Sequence, residues 1–135
     1  MLPVRWREEL GPSLVITRGL DQCLFVFPAD KFERLARQLE LLAFAKSDAR
    51  ALSRYLFAEA LPYSPDEEGR IVLTPALRSY AALNAQITIV GVNDRIEIWD
   101  PQRYALADAK IEAEAITVAE RLSNAMQDAL SKDSS

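Results

Sequence analysis

The sequence predicts an α+β fold made of two tandem copies of one β-hairpin unit, with peripheral helices and a long C-terminal helix. Three observations carry this. Part of the chain repeats itself at a spacing of 71 to 72 residues. Each copy contains short apolar-rich runs separated by turn residues, the mark of half-buried strands. The last third carries apolar and small residues at alternating spacings of four and three, the rhythm of an amphipathic helix.

The repeat is read residue against residue. Leu2, Trp6 and Arg7 fall on Leu73, Leu77 and Arg78 at an offset of 71. After a one-residue gap, residues 14–21 match 86–93 at an offset of 72. Leu24-Phe25-Val26-Phe27 then matches Ile96-Glu97-Ile98-Trp99, and Phe32 falls on Tyr104. Each copy therefore begins with an arginine-bearing segment of a single helical turn, continues as a hairpin and leaves the second strand as a helix. In the second copy Ile87, Ile89, Ile96 and Ile98 alternate with other residue types. Asn93-Asp94 sits between the runs and tolerates the positive φ of a tight hairpin turn, and Asp21-Gln22 plays that part in the first copy.

The helices follow from their stripes. Pro28 and Asp30 open one over about residues 30–42, with Phe32, Leu35 and Leu39 on one face. A second starts near Ser47, a candidate N-cap, and carries Leu52, Tyr55 and Leu56. Pro101 opens the last, over roughly 102–130, where Ile111, Ala115, Val118, Leu122, Ala125 and Ala129 form a seam. That seam suits self-association and packing on the domain's own core equally well. The expected organisation is a first unit at 1–46, a connecting helix at 47–60, a second unit with the long helix at 61–131, and a polar tail at 132–135.

Composition excludes several function classes. The chain has no histidine and one cysteine, Cys23. That argues against zinc, against Ser-His-Asp or Cys-His catalysis and against an intrachain disulfide, and leaves Cys23 as a small buried strand residue. Asp66, Glu67 and Glu68 adjoin one another, but carboxylates in a turn are usually solvated, so no metal, cofactor or enzyme activity is expected. No apolar run approaches the roughly 20 residues of a membrane helix. The first ten residues carry charges of both signs and no secretory core, so a cytoplasmic protein is expected. The net charge of −4 argues against a generic polyanion binder. Of the 16 basic residues, however, 12 are arginine, whose planar fork suits phosphates and guanine edges. Placement, not total charge, has to decide.

The most informative placement is Asp66-Glu67-Glu68-Gly69-Arg70-Ile71-Val72-Leu73. Asp66 can accept backbone N–H bonds within a turn, and Gly69 can take positive φ. Arg70 would then stand, pre-ordered, at the start of a strand, losing little entropy on meeting a phosphate or a base edge. Arg78 follows eight residues later, at the end of the short helical segment. The spacing alone fits equally an ordinary turn with an intrachain Asp66–Arg70 pair.

The pattern Asp-x-x-Gly-Arg-Ile-x-Leu-x-x-x-Leu-Arg resembles the AbrB-type swapped-hairpin DNA-binding unit. The duplicated arrangement resembles the MraZ family specifically, over nearly the whole chain. Long strings carry the likeness: residues 2–11 and 17–28 in the first copy, 91–100 in the second. The resemblance implies two hairpin units interlocked as a pseudo-dimer within one chain. It further implies octameric or dodecameric rings, and binding to tandem promoter repeats ahead of a bacterial cell-division and cell-wall gene cluster, at the nucleoid. Two features depart from it. Thr74, followed by Pro75, stands where the family has proline four residues after the motif arginine. The first copy also lacks the Asp-x-x-Gly-Arg turn, since Met1 aligns with Val72. A start site placed too late, or a truncation, is the expectation there.

The expected DNA-contact residues are therefore Arg70 and Arg78 from the second copy, and Arg5 and Arg7 from the first, with Asp66 and Gly69 supporting the turn. Arg5 and Arg7 could instead pair with Glu8 and Glu9. Arg18 and Arg95 are expected to be solvated. The alternative function is an AbrB-like antitoxin or protein-interaction module.

Overall fold

The computed structural model describes residues 10–43 and 46–133. In chain order the elements are β1 (Leu14–Arg18), β2 (Leu24–Pro28), α1 (Ala29–Ala43), α2 (Ser47–Ala58), β3 (Leu61–Tyr63), α3 (Pro75–Tyr80), β4 (Thr88–Val92), β5 (Arg95–Trp99) and α4 (Pro101–Asp133). The chain divides into two compact units, Met1–Asp100 and Pro101–Ser135.

Leu24-Phe25-Val26-Phe27 is an unbroken apolar run, the composition of a strand covered on both faces. It lies in β2, the middle strand of a five-stranded antiparallel sheet ordered β3-β1-β2-β5-β4. The two hairpins, β1–β2 and β4–β5, join through their second strands, with Leu24 opposite Ile98 and Val26 opposite Ile96. β3, which leads into the second copy, returns to pair with β1 of the first, Leu14 opposite Tyr63. The expected α+β fold with two tandem hairpin units is thus realised, and their ladders cross-connect them into one sheet.

Both faces of the sheet are covered. Leu14, Ile16, Leu24, Val26, Ile96 and Ile98 form the buried core of one face, closed by Leu77 of α3 and by Ala81 at its C-cap. At about 25 cal/mol per Å² of apolar area removed from water, each such large side chain contributes roughly 1.5–3 kcal/mol. On the other face the rings of Phe25, Phe27, Phe32 and Phe57 stack in succession, at centroid separations of 6.0, 5.7 and 5.4 Å, tying α1 and α2 to β2. Thr17 is fully buried on β1, and its hydroxyl donates to the Leu56 carbonyl of α2, so the polar group keeps a partner.

The hairpin loops differ in length. Gly19 N–H donates to the Cys23 carbonyl at 2.7 Å, closing a three-residue loop in which Asp21 and Gln22 both have φ of 62°. The second loop is the two residues Asn93 and Asp94, between Val92 and its ladder partner Arg95. Among the described non-glycine residues, positive φ occurs at Asp21, Gln22 and Ala82. The left-handed turn expected at Asn93-Asp94 is therefore confined to the first copy. Arg18 faces Leu24 while Gly91 faces Ile96, so the extra loop residue moves the offset of the first strands to 73 when the second strands align at 72.

Several expected boundaries shift. Lys46, not Ser47, occupies the N-cap of α2, and it makes no side-chain cap bond. Cys23 is buried but sits in the loop ahead of β2, its Sγ donating to the Leu20 carbonyl at 3.1 Å. α4 continues to Asp133, past the expected end near 130, because Ser131-Lys132-Asp133 contains no glycine or proline to stop it.

Candidate nucleic-acid interface

The Asp66 turn is built from its own backbone. Asp66 Oδ1 accepts from Glu68 N at 2.9 Å and from Arg70 N at 2.8 Å. Gly69 N donates to the Asp66 carbonyl at 2.9 Å, and Asp66 N donates to the Arg70 carbonyl at 3.0 Å. Gly69 is buried with φ of 80°, a conformation that costs a side-chain-bearing residue roughly 1 kcal/mol or more. One carboxylate oxygen and one glycine thus fix the backbone from which Arg70 projects.

The Arg70 side chain is 60% exposed and pairs with Glu68, itself 57% exposed. The pair is with Glu68, not Asp66, whose Oδ1 is engaged by two backbone N–H groups. An exposed pair of this kind is worth about 0–1 kcal/mol, little to give up when a phosphate is offered instead.

Arg70 does not begin a strand. Residues 71–74 have no ladder partner among the described residues, so no strand is assigned. The alternation survives: Ile71 and Leu73 pack against the core, whereas Val72 between them is 86% exposed. The segment then turns into α3 at Thr74, whose hydroxyl accepts from Leu77 N at 3.3 Å, with Pro75 at the first helical position. The Thr74-Pro75 departure is therefore a cap followed by a proline whose missing N–H costs nothing. Leu77 is fully buried and fastens α3 to the sheet. Arg78 next to it is exposed, and lies in the last turn of α3, which runs two residues beyond the expected end. It borders an open groove of about 410 Å³ lined by Pro75, Ser79, Ala82, Leu83 and Asn84.

Arg70 and Arg78 thus stand exposed at two points of one continuous segment, one on the carboxylate-braced turn and one on the capped helix. Arg5 and Arg7 lie outside the described residues. Arg18 and Arg95, expected to be solvated, are both engaged. The Arg18 guanidinium donates to the Tyr55 carbonyl at 2.9 Å and stacks 4.3 Å from the Tyr55 ring centroid. Arg95 pairs with Asp94 and Glu97 and stacks 4.3 Å from the Phe25 ring. The carboxylates beside Arg95 are local in sequence, but the aromatic faces of Tyr55 and Phe25 come from other elements and are invisible to local spacing.

A phenol cluster braces the segment from behind. The Tyr55 and Tyr80 hydroxyls adjoin each other and lie 3.0 and 2.7 Å from the Gly19 carbonyl, so with one proton apiece one phenol donates to that carbonyl and the other either joins it or donates to its neighbour. Burial, then the Tyr55 hydroxyl, push the Tyr80 phenol above its usual range, so it remains a donor. Gly19 makes room for its own hairpin neighbours: a Cβ there would lie 2.5 Å from Phe25 Cδ1 and 2.9 Å from the Cys23 carbonyl oxygen. The sequence holds one hint of it, an isolated glycine at a strand end, which often marks close packing.

No helix among the described residues is long and apolar enough to cross a membrane. A family model described as "MraZ protein, putative antitoxin-like" matches the chain twice in succession, at residues 1–55 and 56–125. The protein named transcriptional regulator MraZ in Thermomicrobium roseum is 40% identical over 121 residues, covering 90% of this chain and 85% of its own. Its namesake in Heliobacterium modesticaldum is 40% identical over 121 residues with the same coverage. That of Moorella thermoacetica is 44% identical over 104 residues, covering 77% of this chain and 73% of its own. With the tandem hairpins, the braced arginine turn and these matches together, the chain belongs to the MraZ family.

Proposed function

We propose that this chain is a transcriptional regulator, not an enzyme, that binds double-stranded DNA through Arg70 and Arg78, with Arg5 and Arg7 as their counterparts in the first copy. The observation that carries this reading is the exposed guanidinium of Arg70 on a turn whose geometry is set by Asp66 and Gly69. A pre-ordered arginine loses less freedom on contacting phosphate than one on a mobile loop. The relatives' shared name, transcriptional regulator, points the same way. In its finer form the proposal is a homo-oligomeric ring, octameric or dodecameric, acting at the nucleoid in the cytoplasm. It binds tandem promoter repeats ahead of a cell-division and cell-wall gene cluster, gaining affinity on repeated sites by effective concentration.

The test is fluorescence anisotropy on promoter repeats across a salt series. Arg70→Ala should weaken binding and reduce the log–log salt slope by about 0.9 for each phosphate no longer neutralised. Unchanged affinity and slope remove Arg70 from the site. The words "antitoxin-like" in the family description favour a second reading, a protein partner. No DNA binding together with co-purification of a protein bound at the Arg70 face would select it.

A further inference from the structure

α4, taken by itself, carries a surface whose charges are answered by a second copy of the same helix. Ile111, Ala115, Val118 and Leu122 recur at spacings of four, three and four, and Ile111 and Leu122 are 47% and 60% exposed. An apolar stripe alone does not identify what covers it, but the charges along its edge discriminate. Glu114 and Arg121 lie one heptad apart on the same side of the stripe. On its own helix Arg121 has Thr117, Val118, Asn124 and Ala125 at the positions three and four away, none of them acidic.

Two copies can pair in either direction. In a parallel pair each of these edge residues faces the position five further along the partner. Glu114 would then meet Ala119, and Arg121 would meet Met126, with no charge answered. In an antiparallel pair the same edge faces itself. Setting Ile111 against Leu122 of the second copy, and Ala115 against its Val118, brings Glu114 opposite Arg121. Two-fold symmetry makes that ion pair twice. The two Ala115 residues fall near the axis beside Val118, where close approach is needed, and Ile111 and Leu122 flank them.

We infer that α4 pairs antiparallel with α4 of a second copy in this register, through a contact separate from the arginine turn. Thr117 then lies level with the two-fold axis, which crosses the helices between residues 116 and 117. With a rise of 1.5 Å per residue, two Gln127 residues stand about 30 Å apart along the helices.

The experiment uses the full chain. Glu114→Arg and Arg121→Glu each replace two attractive pairings with two repulsive ones, and should raise the midpoint concentration for association about ten-fold in sedimentation velocity. The double variant Glu114→Arg/Arg121→Glu should restore it, which also shows that the singles did not fail by misfolding. Spin labels at Thr117→Cys should couple at short range and labels at Gln127→Cys should not. Singles that associate like the parent, a double variant that stays weak, or short distances at both label sites would each overturn the pairing. No arm involves DNA, so this pairing and the DNA-contact role of Arg70 and Arg78 fail independently.

Discussion

Asp66 offers the sharpest test of the braced turn, because its acceptor and its charge can be removed separately. Its Oδ1 holds two backbone donors, Glu68 N and Arg70 N, at 2.9 and 2.8 Å. Asp66→Ala deletes both bonds; Asp66→Asn keeps a carbonyl oxygen in their place and deletes only the charge. Removing a comparable side-chain cap at a helix N-terminus costs about 0.5–2 kcal/mol, typically about 1. The turn is exposed, so the freed N–H groups reach water and the destabilisation stays local. If the ordered turn is the binding-competent state, apparent affinity falls with its population. One to two kcal/mol then corresponds to a roughly 5- to 30-fold difference in Kd between the Ala and Asn variants. Both variants shed a negative charge near a polyanion, so Asp66→Asn should bind as well as the parent or better. Anisotropy at fixed salt measures the ratio, and the salt slope should be the same for both, since Arg70 remains. Equal affinities for the two variants would show that Asp66 acts through charge alone, and the bracing role would be refuted.

Two further outcomes follow from buried groups. Leu77→Ala should cost about 2–5 kcal/mol in urea unfolding, since Leu77 is fully buried and anchors the helix that carries Arg78; a cost under about 1 kcal/mol would mean that α3 is held elsewhere. The Cys23 thiol is pushed up from 9.0 to about 12, first by burial and then by the charges of Glu97 and Asp21, so a thiol dye at about pH 8 should leave the native protein unlabelled. A folded-state value above the unfolded one gives stability that is complete below about pH 9 and lost as pH rises towards 12; Cys23→Ala should flatten that fall, and an unchanged profile would place the titration elsewhere.

What the sequence disclosed and what it withheld divide along the range of the interactions. The hairpins were legible because strand alternation and turn residues are local, and so was the stripe of α1. The turn at Asp66 was legible for the same reason: all its bonds lie within five residues. β3 was not anticipated. Leu61-Pro62-Tyr63 is short and contains a proline, and only pairing with β1 makes it a strand. The converse happened at 71–74, where a strand-like alternation lacks a ladder partner among the described residues. Arg18 and Arg95 were expected to be solvated. Arg18 is engaged by Tyr55 and Arg95 is stacked on Phe25, both placed there by the fold, whereas the Asp94 and Glu97 partners of Arg95 lie within two residues of it. Tyr80 was overlooked because its partners, Tyr55 and Gly19, lie 25 and 61 residues away.

The charges around Arg70 also bear on how such a protein would act. The turn carries Asp66, Glu67 and Glu68 against one arginine, so it presents a local excess of negative charge to any polyanion. Asp66 has its Oδ1 committed to the backbone, and Glu68 must release Arg70 before a phosphate can take its place. On the proposed reading, a single turn of this kind is a weak ligand for DNA. Its carboxylates oppose a chance backbone encounter that its arginine would favour, which suppresses non-specific binding as it limits affinity. Repetition changes the balance, because linked units meet a repeated site at high effective concentration while each still tests its own phosphate or base edge. On the proposed reading, the acidity of this chain and the multiplication of its arginine turns are two halves of one device: weakness per unit makes occupancy depend on how many properly spaced sites the DNA supplies.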